Sequence, residues 1–154
     1  AIKNKINASP FPIVHLATHG QFSSDPEKTL IYAWQEKIRV KELDNILRSR
    51  GKTIRGPIEL LVLSACETAQ GDERATLGLA GVALRARARS TVASLWKVSD
   101  SSTARFMKDF YQELNKKNTT KAEALREVQI KFLQDSYDQH PYYWAAFILS
   151  GKWL

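Results

Sequence analysis

Short apolar runs alternating with amphipathic segments predict an α/β layered fold with a mainly parallel sheet flanked by helices. Ile58 to Leu63, after Pro57, reads Ile-Glu-Leu-Leu-Val-Leu. Such near-continuous apolarity belongs to a strand buried on both faces. Ile13 to Ala17 and Thr91 to Trp96 are similar runs, and helical patterns lie between and after them. No repeat or low-complexity linker divides the 154 residues, so the chain reads as one domain.

The elements follow in order. Pro12 precedes the first strand, and Thr18-His19-Gly20 ends it. Ser23 to Lys28 is polar, contains Pro26, and reads as a loop. Ile31, Tyr32, Trp34, Ile38 and Val40 mark a short hairpin within Leu30 to Val40. Lys41 to Ser49 carries Leu43, Ile46 and Leu47 at helical spacing, with Gly51 as a stop. The strand Ile58 to Leu63 follows, then a polar stretch to Thr76 and a helix from Leu77 to Arg87. Gly78 and Gly81 lie on that helix. Each costs about 1 kcal/mol relative to alanine, a cost that close packing of helix on sheet would offset.

Beyond the strand Thr91 to Trp96, Ser99 to Ser102 offer N-caps. A helix from Thr103 to Asn115 presents Phe106, Phe110, Tyr111 and Leu114. Thr120 and Glu123 have capping-box spacing and open a helix to about Gln134. Trp144 to Leu149 reads as a last strand, ended by Gly151.

The composition is globular, with 44% apolar residues. No apolar run is long enough to span a membrane. The first residues lack the apolar core of a signal peptide. A chain that opens at Ala1 is expected to be cut from something longer. The single cysteine excludes an internal disulfide framework, speaks against a multi-cysteine zinc site, and fits a reducing cytoplasm. A formal charge of +7 permits acidic partners. The basic residues are scattered and have no interleaved aromatics, so direct nucleic-acid binding is not expected.

Ligands of open parallel sheets bind beyond the carboxyl ends of the strands. His19 lies just past the first strand and Cys66 just past Ile58 to Leu63, 47 positions apart (66 − 19). If the two strands are parallel neighbours, both residues reach one edge. A thiol within reach of an imidazole is the basic device for attack on a carbonyl. The backbone N–H groups of Gly20 and Cys66 are then candidate oxyanion donors, an effect worth roughly 3–4 kcal/mol per donor. Thr68 or its neighbours are expected to cap a helix or turn after Cys66, bringing a positive end near the thiol.

Two segments, His15-Leu16-Ala17-Thr18-His19-Gly20 and Leu63-Ser64-Ala65-Cys66-Glu67-Thr68-Ala69, resemble the histidine and cysteine motifs of CHAT domains. These are caspase-like domains often attached to TPR repeats. Leu77 to Leu84, Ser94 to Asp100 and Trp144 to Gly151 are similar to later family segments, so the resemblance runs from about Ile13 to Trp153. It implies a three-layer caspase–hemoglobinase-like fold, related to separases and caspases. It also implies peptide-bond hydrolysis without metal or organic cofactor, His19 and Cys66 as the catalytic pair, and Gly20 and Cys66 as oxyanion donors. His15, inside the strand, is expected to be packed or hydrogen-bonded, and His140 to have a similarly structural role.

Family members usually carry further strands and helices before the histidine segment, where this chain has about twelve residues. Either the chain is a C-terminal fragment, truncated on its N-terminal side, or part of the sheet is supplied elsewhere. Activity of the fragment alone is thereby in question.

Trp96 is expected either to wall the substrate groove or to join the core. The corresponding region of separases looks similar, and an acid there helps bind a basic residue before the scissile bond. Asp100 would either select such a P1 side chain or cap the helix beginning near Ser102. Glu67 is a poor base for a neighbouring thiol, because its charge raises a thiol pKa. The polar stretch from Gln70 to Thr76 reads as a loop that could control access. The functional reading is a cysteine endopeptidase acting on protein or peptide, with TPR repeats in the same polypeptide as possible partners. Its alternative is a non-catalytic interaction module on a caspase-like scaffold.

Overall fold

The computed structural model describes residues 11–23, 25, 27–33, 36–39, 41–43, 45, 58–64, 66–68 and 88–154. The expected helix at 77–87, the polar loop at 70–76 and most of the helix at 41–49 lie outside the described residues. Lys41 to Leu43 and Asn45 are helical.

Among the described residues, eight strands form two sheets. They are β1 (Ile13–Leu16), β2 (Gly20–Phe22), β3 (Leu30–Ala33), β4 (Glu36–Arg39), β5 (Leu60–Leu63), β6 (Cys66–Thr68), β7 (Ser90–Ser94) and β8 (Phe147–Gly151). Three helices follow β7: α1 (Asp100–Leu114), α2 (Lys121–Leu133) and the single turn α3 (Pro141–Trp144). The first sheet has the order β1-β5-β7-β8. Its first three strands run parallel and β8 antiparallel, so the expected mainly parallel sheet with flanking helices is present. The second sheet, order β4-β3-β2-β6, was not expected. In it the β3–β4 hairpin is continued by β2, which pairs parallel with β6.

The apolar run of β5 explains the layering. Its four residues are all buried and alternate between two cores. Leu60 and Val62, with Val92, pack against Phe106, Met107 and Phe110 of α1 and Val128 and Phe132 of α2. Leu61 and Leu63, with Val14 and Ala93, pack on the opposite face against Ile31 and Ile38 of the hairpin and against Leu43. In the helical core the Phe106 ring stacks on Phe147 at 4.1 Å and meets Phe132 edge-on at 5.2 Å.

Helix α2 begins with the expected capping box, in which the Glu123 N–H donates to Thr120 Oγ1 and the Thr120 N–H to the Glu123 carboxylate. Ion pairs join the helical layer. Lys131 Nζ lies 2.7 Å from Asp109, and Arg105 lies 3.0 and 3.2 Å from Asp135 and Asp138. The Arg105 guanidinium also sits 4.5 Å from the Phe132 ring centre, so α1 is tied to the end of α2 by charge and ring together.

Three expected boundaries are corrected. The last strand was expected over Trp144 to Leu149. Pro141 at the start of a helical turn instead commits residues through Trp144 to α3. The strand therefore starts at Phe147 and runs antiparallel to β7. It reaches Gly151, where φ is +97° and an added Cβ would lie 2.5 Å from the Arg89 carbonyl oxygen, so glycine is required. Strand β7 ends at Ser94, and Leu95 and Trp96 form a bend. Helix α1 opens three residues earlier than expected, because the Ser99 side chain accepts from the Ser102 N–H and caps it. Among the described residues, no helix is long and apolar enough to cross a membrane.

Candidate active site at the carboxyl edge of the parallel strands

Strands β1, β5 and β7 are parallel neighbours, so their carboxyl ends lie along one edge in that order. His19 follows β1, Cys66 follows β5, and Trp96 and Asp100 follow β7. Strands in a ladder lie about 4.8 Å apart, so the three exits span about 10 Å.

Past that edge, two of the chains cross into the second sheet. Leu16 faces Leu63 across β1 and β5, an offset of 47 (63 − 16), whereas Gly20 faces Cys66 across β2 and β6, an offset of 46 (66 − 20). Had the first register continued, His19 would stand opposite Cys66. One extra residue on the histidine side moves Gly20 into that place. An added residue bends its strand and re-aims its neighbours, as in a β-bulge. His19, one residue before Gly20, is exposed. Its Cα lies about 6 Å from that of Cys66 by strand geometry.

Tyr32 fixes the histidine segment from the other side. Its N–H donates to the His19 carbonyl at 2.8 Å, and the Thr18 hydroxyl donates to its carbonyl. The Tyr32–His19 bond makes Gly20–Ile31 a non-hydrogen-bonded pair of the β2–β3 ladder. The N–H and C=O of Gly20 are therefore directed at β6. Parallel ladders draw both bonds from one member of a facing pair, here Gly20, so the Cys66 N–H is directed away from β2. Of the two expected oxyanion donors, the Gly20 N–H faces the β2–β6 ladder, so an anion would compete with that ladder for it. Cys66 to Thr68 is strand, and the helix or turn that Thr68 or its neighbours were expected to cap lies outside the described residues. Glu67 stands opposite Gln21 in the same pairing.

Trp96 is half-buried against the helical core, and its indole N–H donates to the Tyr142 carbonyl at 2.9 Å. The Tyr142 hydroxyl donates back to the Lys97 carbonyl at 2.6 Å, so α3 is strapped to the loop after β7. Asp100 is the first residue of α1 and is exposed. It lies in the first turn, and the cap it was weighed for belongs to Ser99. His140 caps α3, its Nδ1 accepting from the Tyr142 N–H.

His15 is hydrogen-bonded on both ring nitrogens. Its Nε2 lies 2.8 Å from Ser64 Oγ and its Nδ1 lies 3.1 Å from the Tyr111 hydroxyl of α1. Burial holds its pKa below the usual 6.5 and pushes the Tyr111 hydroxyl up to about 12. The ring is thus neutral near pH 7, while the tyrosine keeps its proton and can donate it to Nδ1. An open groove of about 470 Å³, lined by Ile13, Lys108, Tyr111, Gln112, Leu114 and Asn115, contains none of His19, Cys66, Trp96 and Asp100.

The family model of the CHAT domain matches residues 1–152, essentially the whole chain. Comparison with curated proteins finds no match.

Proposed function

Since the chain belongs to the CHAT domain family, whose fold is caspase-like and protease-related, we propose that it is a cysteine endopeptidase working through Cys66 and His19. The supporting observation is the Gly20–Cys66 pairing, which brings the two motif segments side by side past the carboxyl edge of the parallel strands.

In this reading His19 accepts the Cys66 thiol proton, and the thiolate attacks the substrate carbonyl carbon. The Cys66 N–H steadies the developing oxyanion, with Gly20 contributing to the extent that the ladder releases it. The imidazolium then returns its proton to the amine, the C–N bond breaks, and a thioester remains. Water attacks the thioester with His19 as base, the acid leaves, and the thiol is restored. Trp96 and Asp100, one strand further along the same edge, form the wall that receives the P1 side chain. An exposed carboxylate there favours arginine or lysine.

Intact mass after incubation with a peptidyl electrophile tests the dyad. One adduct is expected on the wild type and none on Cys66→Ala. A wild type that takes up no adduct would leave the chain a non-catalytic module on the same scaffold.

A further inference from the structure

We propose that His15 is a positioning residue for the Cys66–His19 pair, pinning the register of β1 on β5 at the point where both strands leave the first sheet. The proposal rests on the dyad reading above and adds to it a residue that contacts neither substrate nor reacting atoms.

His15 faces Val62 in the β1–β5 ladder, so Ser64 is its forward diagonal neighbour, two residues nearer the site. The bond from Nε2 to Ser64 Oγ therefore crosses between the strands at their last step together. Immediately beyond it the offset changes from 47 to 46. A slip of one residue there would set position 65 or Glu67, instead of Cys66, opposite Gly20. The apolar residues of β5 resist such a slip within the sheet, because it would turn their faces over. Beyond Ser64 the partners are strands of only three residues, β2 and β6, too short to set their register by many ladder bonds. Ser64 is 3% exposed, so its hydroxyl would be costly to leave unpaired.

Tyr111 supplies the outer anchor. Its hydroxyl holds the other ring nitrogen from α1, and its ring packs at 5.7 Å from the imidazole. Donation by Tyr111 to Nδ1 leaves the hydrogen on Nε2, which donates to Ser64. The chain Tyr111–His15–Ser64 thus runs from the helical layer to the last buried residue described before Cys66. Tyr111 is the titratable group facing the ring from α1, and Lys108, one turn earlier, lines the groove that Tyr111 borders. Burial is the cause of the His15 shift, so protonation opposes the arrangement through desolvation.

The test uses the full chain and the second-order rate of Cys66 labelling by a peptidyl electrophile. The variants are His15→Gln, His15→Leu, Tyr111→Phe and, as reference, His19→Ala. Leucine fills the site without a polar atom, whereas glutamine can still reach Ser64. His15→Leu is expected to slow labelling on the order of 100-fold, the scale of a misplacement near 1 Å. His15→Gln should restore much of the rate, and Tyr111→Phe should fall between. Hydrogen exchange should quicken at Gly20 to Phe22 and at Cys66 to Thr68, with β7 and β8 unchanged. If His19→Ala slows labelling but His15→Leu and Tyr111→Phe label at the wild-type rate, His15 does not position the site. If His15→Leu is slow and His15→Gln equally slow, the residue matters only for packing and the proposal fails. If the wild type itself does not label, the dyad reading falls first and takes this one with it.

Discussion

Gly20 faces Cys66 across the parallel β2–β6 pair, one register short of the offset that aligns β1 with β5. The shift places His19 just before the residue that faces the cysteine, at the step where the strand re-aims. It also directs the Cys66 N–H away from its partner strand.

If Asp100 selects a basic P1 side chain, Asp100→Ala will lower kcat/KM for arginine and lysine peptides. Peptides with neutral P1 residues will be cleaved as before. Losing a first-turn carboxylate will also cost about 0.3–1 kcal/mol of stability, so folding is measured alongside. Equal loss on every peptide, or no change of preference, removes Asp100 from the pocket.

Phe106 is fully buried between Phe132 and Phe147. Truncation to alanine leaves a cavity between α1, α2 and β8. The expected cost is about 3–5 kcal/mol, read from urea unfolding midpoints at constant slope. A loss below about 1 kcal/mol would mean that the helical layer is not packed as described.

His15 gives a signed pH dependence. Its pKa is lowered in the folded chain by burial, so the unfolded chain binds the proton first as pH falls. The contribution is fully present above about 6.5, the unfolded value, and is lost as pH falls from there through the folded pKa. Urea midpoints between pH 8 and pH 5 should therefore decline more in the wild type than in His15→Gln. Parallel declines would show that His15 is not held neutral.

The sequence made the parallel sheet legible because β5 is apolar at every position and therefore buried on both sides. The placement of His19 and Cys66 past two neighbouring parallel strands was legible from the apolar runs before them. The second sheet was not. Strands β2 and β6 have three residues each and include polar Gln21 and Glu67, too short and mixed for any periodicity. Their pairing depends on chain crossing, which no local pattern encodes. The polar chain below the site was equally hidden. His15 and Tyr111 are separated by 96 positions, and Tyr111 read as one more aromatic on an amphipathic helix. The start of β8 was misjudged for the opposite reason, because the apolar run from Trp144 masked the helical turn that Pro141 starts.

The most direct measurement of the central claim is the rate of Cys66 alkylation by a small haloacetamide from pH 5 to pH 10, in the wild type and in His19→Ala. A paired thiol should react at pH values well below about 8.5, the ordinary cysteine pKa, and removal of the imidazole should return the midpoint to that value. Superimposable profiles for the two proteins would contradict the pairing of Cys66 with His19.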